Sequence, residues 1–277
     1  MTRLPNFIYL GPEKSGTSWL HGTLSRHPQV YLTPAKDLFF FNRFYDRGLD
    51  WYREQFAAAD SQPVVGEIAH RYLTDPTALE RMRRDLGEIK LMTTVRDPVD
   101  RAWSGYLYYR KHGVHSGSFR EALADKEQLL NSGRYATAIG RVLQHFPKDA
   151  LHVAVFDDLE LDSQRFLDGV TGFLGVDAMP LSSEDREPAL PAARARSTRV
   201  AKVVRAGAKW TCQHGHPRVI ATIKRSPMIE RALYRPVDRS AERPDQADVD
   251  YIKATLLPEV ESLDRDFGLG LKSRWGW

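Results

Sequence analysis

One cysteine, Cys212, stands in a chain of 277 residues. That excludes an internal disulfide and fits a reducing compartment. No stretch approaches the roughly 18 consecutive apolar residues of a membrane-spanning helix. A secretory leader is not expected either, because an apolar strand and its loop begin close behind Met1. These absences point to a cytoplasmic protein. Charge of one sign is not in great excess: 40 Lys and Arg against 36 Asp and Glu leave +4, and a pI near 9.1 only hints at acidic ligands. Internal repeats are lacking, which argues against a solenoid or propeller.

What is present is an ordinary globular composition, 42% hydrophobic, in a length that α/β folds often use as one domain. Short apolar runs at Phe7–Leu10, Val64–Ile68, Lys90–Val95 and Leu151–Phe156 read as buried strands of a parallel sheet. Helical patterns lie between them, at about 17–26, 48–58, 76–86, 98–112, 118–130, 134–146 and 163–174. Such alternation predicts an open sheet covered by helices on both faces, with ligands beyond the C-terminal strand ends. The expected division is an α/β core over 1–187, a basic region over 188–243, and a helix at about 246–267 within a closing 244–277 segment. Residues 189–235 hold eleven Lys and Arg against one acidic residue, Glu230. This reads as basic helices or a lid over the sheet, not as a strand region. It is either a solvated surface or a contact for an anionic ligand, glycan or membrane surface.

The densest signal is Gly11-Pro-Glu-Lys-Ser-Gly16 followed by Thr17 and Ser18, between the first strand and a helix. Glycines and a helix N-terminus suit an anion cradle. In the nucleotide P-loop a lysine follows the second glycine, to reach the β/γ-phosphates, and a Ser or Thr then holds Mg²⁺. Thr17 occupies that lysine position here, and the only lysine, Lys14, lies inside the loop. Ordinary Mg-ATP chemistry is therefore disfavoured. A second anion site is suggested after the strand ending at Val95. Arg96 offers a planar fork, Asp97-Pro98 starts a helix, and Ser104 lies about two turns on.

Taken together, Lys14-x-Gly-Thr-Ser-Trp19 and Val95-Arg-Asp-Pro-x-Asp-Arg-Ala-x-Ser-x-Tyr106 resemble the sulfotransferases that use 3′-phosphoadenosine 5′-phosphosulfate (PAPS). Lys36-Asp-Leu-Phe-Phe-Phe41 and Gly48-Leu-Asp-Trp-Tyr52 are similar to stretches of the carbohydrate branch, which includes heparan sulfate N- and 3-O-sulfotransferases and bacterial homologues. The resemblance implies a P-loop-kinase-like α/β fold. It assigns Lys14, Ser15, Gly16, Thr17, Ser18 and Trp19 to the 5′-phosphosulfate loop, and Arg96 and Ser104 to the 3′-phosphate. It also suggests closure over the nucleotide by Arg194, Arg196, Ser197 and Arg199. Because PAPS has no γ-phosphate and the reaction needs no Mg²⁺, the displaced lysine ceases to be an anomaly.

The implied reaction is in-line transfer of a sulfuryl group to a hydroxyl of a saccharide, glycolipid or secondary metabolite. Lys14 would stabilise the leaving group. Asp37 stands where the carbohydrate branch has glutamate and is one candidate base, with Lys36 tuning it or touching the sulfuryl group. His70 is the rival base. It lies in Gly66-Glu-Ile-Ala-His-Arg-Tyr72, which departs from the family's Gly-Glu-Lys-Ser/Thr-Pro-x-Tyr, and Glu67 is read either as orienting the acceptor or Lys36 or as one half of a buried ion pair. Cys212-x-His-x-His216 fits no standard zinc spacing, and no metal is expected. Two other readings stay open: an ATP-dependent small-molecule kinase on this scaffold, and a non-catalytic protein binding nucleic acid or membrane through its basic region. The absence of a recognised nucleic-acid module speaks against a nucleic-acid partner.

Overall fold

A computed structural model of the chain describes residues 3–182, 193–195, 234–236 and 243–277. It divides into two compact units, one of residues 1–96, 134–189 and 258–277, the other of 97–133 and 190–257.

The first unit is built on five parallel strands: β1 (Phe7–Gly11), β2 (Val30–Leu32), β3 (Val64–Ile68), β4 (Lys90–Val95) and β5 (Leu151–Val155), in the order β2-β3-β1-β4-β5. Alternation along β1 sends its side chains to two separate cores. Ile8 and Leu10 join one with Phe40, Tyr52, Leu79, Ile139 and Leu263. Phe7 and Tyr9 join the other with Leu20, Phe166 and Val170. Both faces of the sheet are therefore buried, as near-continuous apolar strands require.

Helices α1 (Thr17–Leu24), α2 (Phe40–Arg43), α3 (Gly48–Glu54) and α4 (Pro76–Leu86) fall in the first half of this unit. In the second unit come α5 (Pro98–Lys111), α6 (Phe119–Asp125) and α7 (Gln128–Asn131). The first unit resumes with α8 (Tyr135–Leu143), α9 (Phe156–Leu161) and α10 (Ser163–Leu174); α11 (Gln246–Phe267) and α12 (Leu271–Trp275) close the chain. Local chemistry explains several of the boundaries. Asp75 and Asp97 accept backbone N–H groups at the starts of α4 and α5, each followed by proline at the first helical position. Ser118 and Glu121 form a reciprocal capping box on α6. Gly175 ends α10 in a left-handed conformation. Beyond Pro258, the Glu259 carboxylate of α11 accepts from both the amide and the hydroxyl of Thr137 on α8, at 2.8 and 2.6 Å.

The sequence expectations need several corrections. A continuous helix over 118–130 is instead α6 and α7, parted at Lys126, which leaves helical φ/ψ after α6. Phe156 opens α9 and does not end β5. The three-residue β2 and the four-residue α2 are too short to show a period. The basic region, expected to hold no strands, contains β6 (Ala193–Ala195) and β7 (Tyr234–Pro236), paired antiparallel. Backbone pairing of such short segments leaves no hydrophobic pattern to read. The rest of that region, with Cys212, His214 and His216, lies outside the described residues.

Candidate active site

Strand β1 ends in a loop whose shape is set by glycines. Gly11 has φ +123°, and a Cβ there would lie 2.8 Å from the carbonyl oxygen of His70. Only glycine lets the two backbones come this close. Gly16, at φ +84°, caps α1 with no side-chain hydrogen bond to the first-turn amides. The Ser15 hydroxyl is buried with no hydrogen-bond partner. A buried orphan hydroxyl beside helix-terminal amides lacking a side-chain cap suits a phosphate or phosphosulfate ligand, so these residues fit the group expected of them.

The loop is braced from β4. The Thr93 hydroxyl donates to the Gly11 carbonyl at 2.6 Å. Arg96, immediately after the strand, donates to the Lys14 carbonyl at 3.0 Å and lies 4.4 Å over the Phe156 ring. Tyr135 fixes Arg96 in turn by donating to its carbonyl at 2.8 Å. Lys14 itself is held at φ +68°, a left-handed conformation uncommon for a residue with a side chain. Two of the expected anion-binding groups, the loop and Arg96, are thus joined by a hydrogen bond. Ser104 stands in the second turn of α5, in the second unit.

The segment after β2 runs on beside β3 and reaches the same strand ends. The Thr33 amide donates to Gly66, and the Asp37 amide donates to Ile68 at 3.0 Å. The Ala69 and Leu73 amides donate to Tyr9 and Leu10 on β1, which fixes His70 between them against Gly11. Lys36 reaches Ser18 on α1 and donates to its hydroxyl at 2.7 Å. Asp37 hydrogen-bonds His70 Nδ1, and both side chains remain 24% accessible. The two rival bases of the sequence reading are therefore one hydrogen-bonded pair. Asp37 and Phe39, like Lys14, have positive φ, at +62° and +54°. Strained residues clustered this way are characteristic of sites where geometry serves a function.

Beneath this turn is a group whose setting the sequence did not reveal. Glu67 is fully buried on β3. It accepts hydrogen bonds from the Leu38 amide at 3.1 Å, the Tyr72 hydroxyl at 3.1 Å and the Tyr52 hydroxyl at 2.9 Å. Burial raises its carboxyl to about 7, against these three hydrogen bonds and with help from the charge of Asp37. Glu67, expected to orient the acceptor or Lys36, has neither as a direct partner here: both oxygens are occupied by the Leu38 amide and the two tyrosines, and none of its surface is open. Trp19 also faces inward. It is 8% exposed and packs edge-on to Phe166 at 5.8 Å, which makes its ring part of the core and leaves only its amide, in the first turn of α1, on the side of the loop. Arg194 lies on β6, while Arg196, Ser197 and Arg199 fall outside the described residues.

A cavity of about 490 Å³ opens elsewhere, at the N-terminal strand ends among Phe7, Val64, Lys90 and Ala150. It is at the end of the sheet opposite the loop and has no part in this site. Among the described residues no group of His, Cys, Asp or Glu is arranged to hold a metal ion, and no helix is long and apolar enough to cross a membrane.

A family model, the sulfotransferase domain, matches residues 4–211. The chain belongs to the sulfotransferase domain family. Its match covers the loop, the Asp37–His70 pair and the Arg96 motif together. Among relatives, human bifunctional heparan sulfate N-deacetylase/N-sulfotransferase 2 is 30% identical over 196 residues, 63% of this chain and 22% of that protein. The membrane-associated sulfotransferase kil1 of Dictyostelium discoideum is 38% identical over 108 residues, 38% of this chain and 23% of that one. The chain thus spans less than a quarter of the length of these relatives. The crystal structure of a sulfotransferase from Alicyclobacillus acidocaldarius superposes with a TM-score of 0.60 at 28% identity, covering 66% of this chain and 89% of that one. The parallel five-stranded sheet flanked by helices is therefore the fold of this family, as the motifs implied.

Proposed function

We propose that this sulfotransferase domain transfers the sulfuryl group of PAPS to a hydroxyl of a saccharide, glycolipid or secondary metabolite. The observation that carries the reading is the convergence, at one end of the sheet, of an anion cradle with an internal lysine and a histidine–carboxylate pair. Ser15, Thr17, Ser18 and the first amides of α1 hold the 5′-phosphate. Arg96 serves the 3′-phosphate, the role that the family's motif also gives to Ser104. Lys14 faces the oxygen that bridges phosphorus and sulfur, where negative charge grows as the S–O bond breaks. A cation there stabilises the transition state more than the ground state.

On the acceptor side, Asp37 takes the Nδ1–H of His70, which fixes the ring and leaves the Nε2 lone pair to accept the hydroxyl proton. The acceptor oxygen forms its bond to sulfur as that proton passes to His70. The leaving group departs as adenosine 3′,5′-bisphosphate. Lys36, bonded to Ser18 at 2.7 Å, bridges the two halves of the site and can turn its ammonium to the transferring group. A cytoplasmic location and the absence of a nucleic-acid partner are part of the same proposal.

Ligand-dependent thermal stability tests it. Adenosine 3′,5′-bisphosphate at a hundred times its Kd stabilises by about 2.7 kcal/mol, and Mg-ATP at the same concentration by much less. Stabilisation by Mg-ATP with none from the bisphosphate would overturn the reading in favour of a kinase.

A further inference from the structure

Asp37 and His70 meet from two segments of chain, and one buried carboxyl is joined to both segments. Glu67 is wholly enclosed on β3, which runs on directly to His70. Its Oε1 accepts from the Leu38 amide and from the Tyr72 hydroxyl, each at 3.1 Å, and its Oε2 from the Tyr52 hydroxyl at 2.9 Å. Leu38 sits between Asp37 and Phe39, both at positive φ. Backbone of that kind persists only where its surroundings over-determine it. Through the Leu38 amide, Glu67 therefore holds the turn that carries Asp37, while its own strand leads to His70.

The same two tyrosines grip the chain just beyond the turn. Tyr52 lies nearly flat on Phe40, with centroids 4.4 Å apart, and edge-on to Phe41 at 5.1 Å. Tyr72 meets Phe41 edge-on at 5.8 Å. All four rings are fully buried, so the carboxyl has little freedom to turn away from Leu38. Glu67 does not draw Asp37 by charge, because both are carboxyls; it acts through the neighbouring amide. Without that acceptor the buried Leu38 N–H loses its partner. A buried donor in that state favours any rearrangement that rehydrates it.

We infer that Glu67, clamped by Tyr52 and Tyr72, is a positioning residue that holds Asp37 against His70 Nδ1, an inference that rests on the sulfuryl-transfer reading for the work the pair does. Enclosed as it is, Glu67 touches neither donor nor acceptor. Its effect is on the tautomer of His70. While Asp37 receives the Nδ1–H, the Nε2 lone pair is available for the hydroxyl proton. If the turn shifts, the imidazole passes in part to the Nε2–H form that isolated imidazole side chains favour. That form has no lone pair where the proton must go.

Long-range proton–nitrogen NMR spectra of the nitrogen-labelled full chain at mildly alkaline pH read this tautomer without any acceptor. The His70 signal is assigned by its absence in His70→Gln. The wild type should show Nδ1–H. Glu67→Gln keeps an acceptor oxygen for Leu38 and should preserve that form. Glu67→Met offers no acceptor and should lose it, with His70 exchanging between both tautomers and the Leu38 amide exchanging with solvent at least tenfold faster. Cooperative unfolding and affinity for adenosine 3′,5′-bisphosphate within twofold of the wild type show that a variant is folded around an intact donor site. Should Glu67→Met not fold, Tyr52→Phe combined with Tyr72→Phe keeps both rings, removes two of the three donors and should give the same mixture. A folded methionine or double-phenylalanine variant that keeps the Nδ1–H form overturns the positioning role. So does a wild type that lacks this form, or a Glu67→Gln that loses it as fully as Glu67→Met. Failure of the bisphosphate to bind the wild type is a different result: it removes the sulfuryl-transfer reading, while the tautomer comparison can still be read.

Discussion

Asp37 and His70 approach the site on two segments that lie 33 residues apart and meet as a hydrogen-bonded pair, each side chain 24% accessible. The carboxylate cannot serve as an independent base while it holds the imidazole, and the imidazole depends on the carboxylate for its orientation. His70→Ala and Asp37→Asn should each lower kcat by about 10²–10⁴. If the pair works as a unit, the double variant loses little more than the worse single variant. Multiplicative losses would show two separate roles. Unchanged affinity for adenosine 3′,5′-bisphosphate in all three proteins confines the effect to the acceptor half.

Lys14 occupies a left-handed position whose carbonyl is anchored by Arg96. Its side chain is placed by the loop and not by the following helix, unlike the lysine of a nucleotide P-loop. Lys14→Ala should cost about 10²–10³ in kcat, as loss of one preorganised donor to a developing negative charge does elsewhere. Single-turnover transfer with saturating donor is the direct measurement. A variant that turns over at the wild-type rate would remove Lys14 from the leaving-group side of the reaction.

Glu67 couples the site to pH. The folded chain keeps a proton on this buried carboxyl up to about 7, whereas the ordinary value is 4.5. Its contribution to stability is therefore complete below the ordinary value and is lost as pH rises through about 7. The loss amounts to about 3 kcal/mol over that interval. Glu67→Gln is uncharged at every pH and keeps an acceptor oxygen for the Leu38 amide. Urea unfolding of both proteins from acid to mildly alkaline pH should show the variant gaining on the wild type by about that amount. A constant difference across the range would mean that Glu67 does not change its charge there.

The fold was legible wherever an element was long enough to show a period. Strands β1, β3, β4 and β5 were found within a residue of their ends, because apolar runs between amphipathic helices leave few alternatives. The anion loop was legible because its glycines and displaced lysine are adjacent in sequence. The Asp37–His70 pair was not, since it depends on the chain after β2 following β3 past its end, and sequence spacing carries no such register. Glu67 was misread for a related reason: the tyrosines that enclose it come from α3 and from the chain after β3. The direction of the Trp19 ring was hidden as well, because its place on α1 turns it toward Phe166 while its motif neighbours form the loop.

Gly11 joins these parts, because it allows the end of β1 to lie directly against the backbone of His70. Alanine at that position would place its Cβ 2.8 Å from the His70 carbonyl oxygen and keep φ at +123°. Backbone cannot yield as a flexible side chain does, and this φ is strained for any residue with a Cβ. Gly11→Ala should lose about 1–3 kcal/mol of stability from the backbone conformation alone. The displacement should also separate the Lys14 loop from the Asp37–His70 pair, so kcat falls even where the protein remains folded. Unfolding midpoints with single-turnover rates at low temperature distinguish the two effects. A variant that loses stability but keeps its full rate would show that the contact supports the fold without aligning the site.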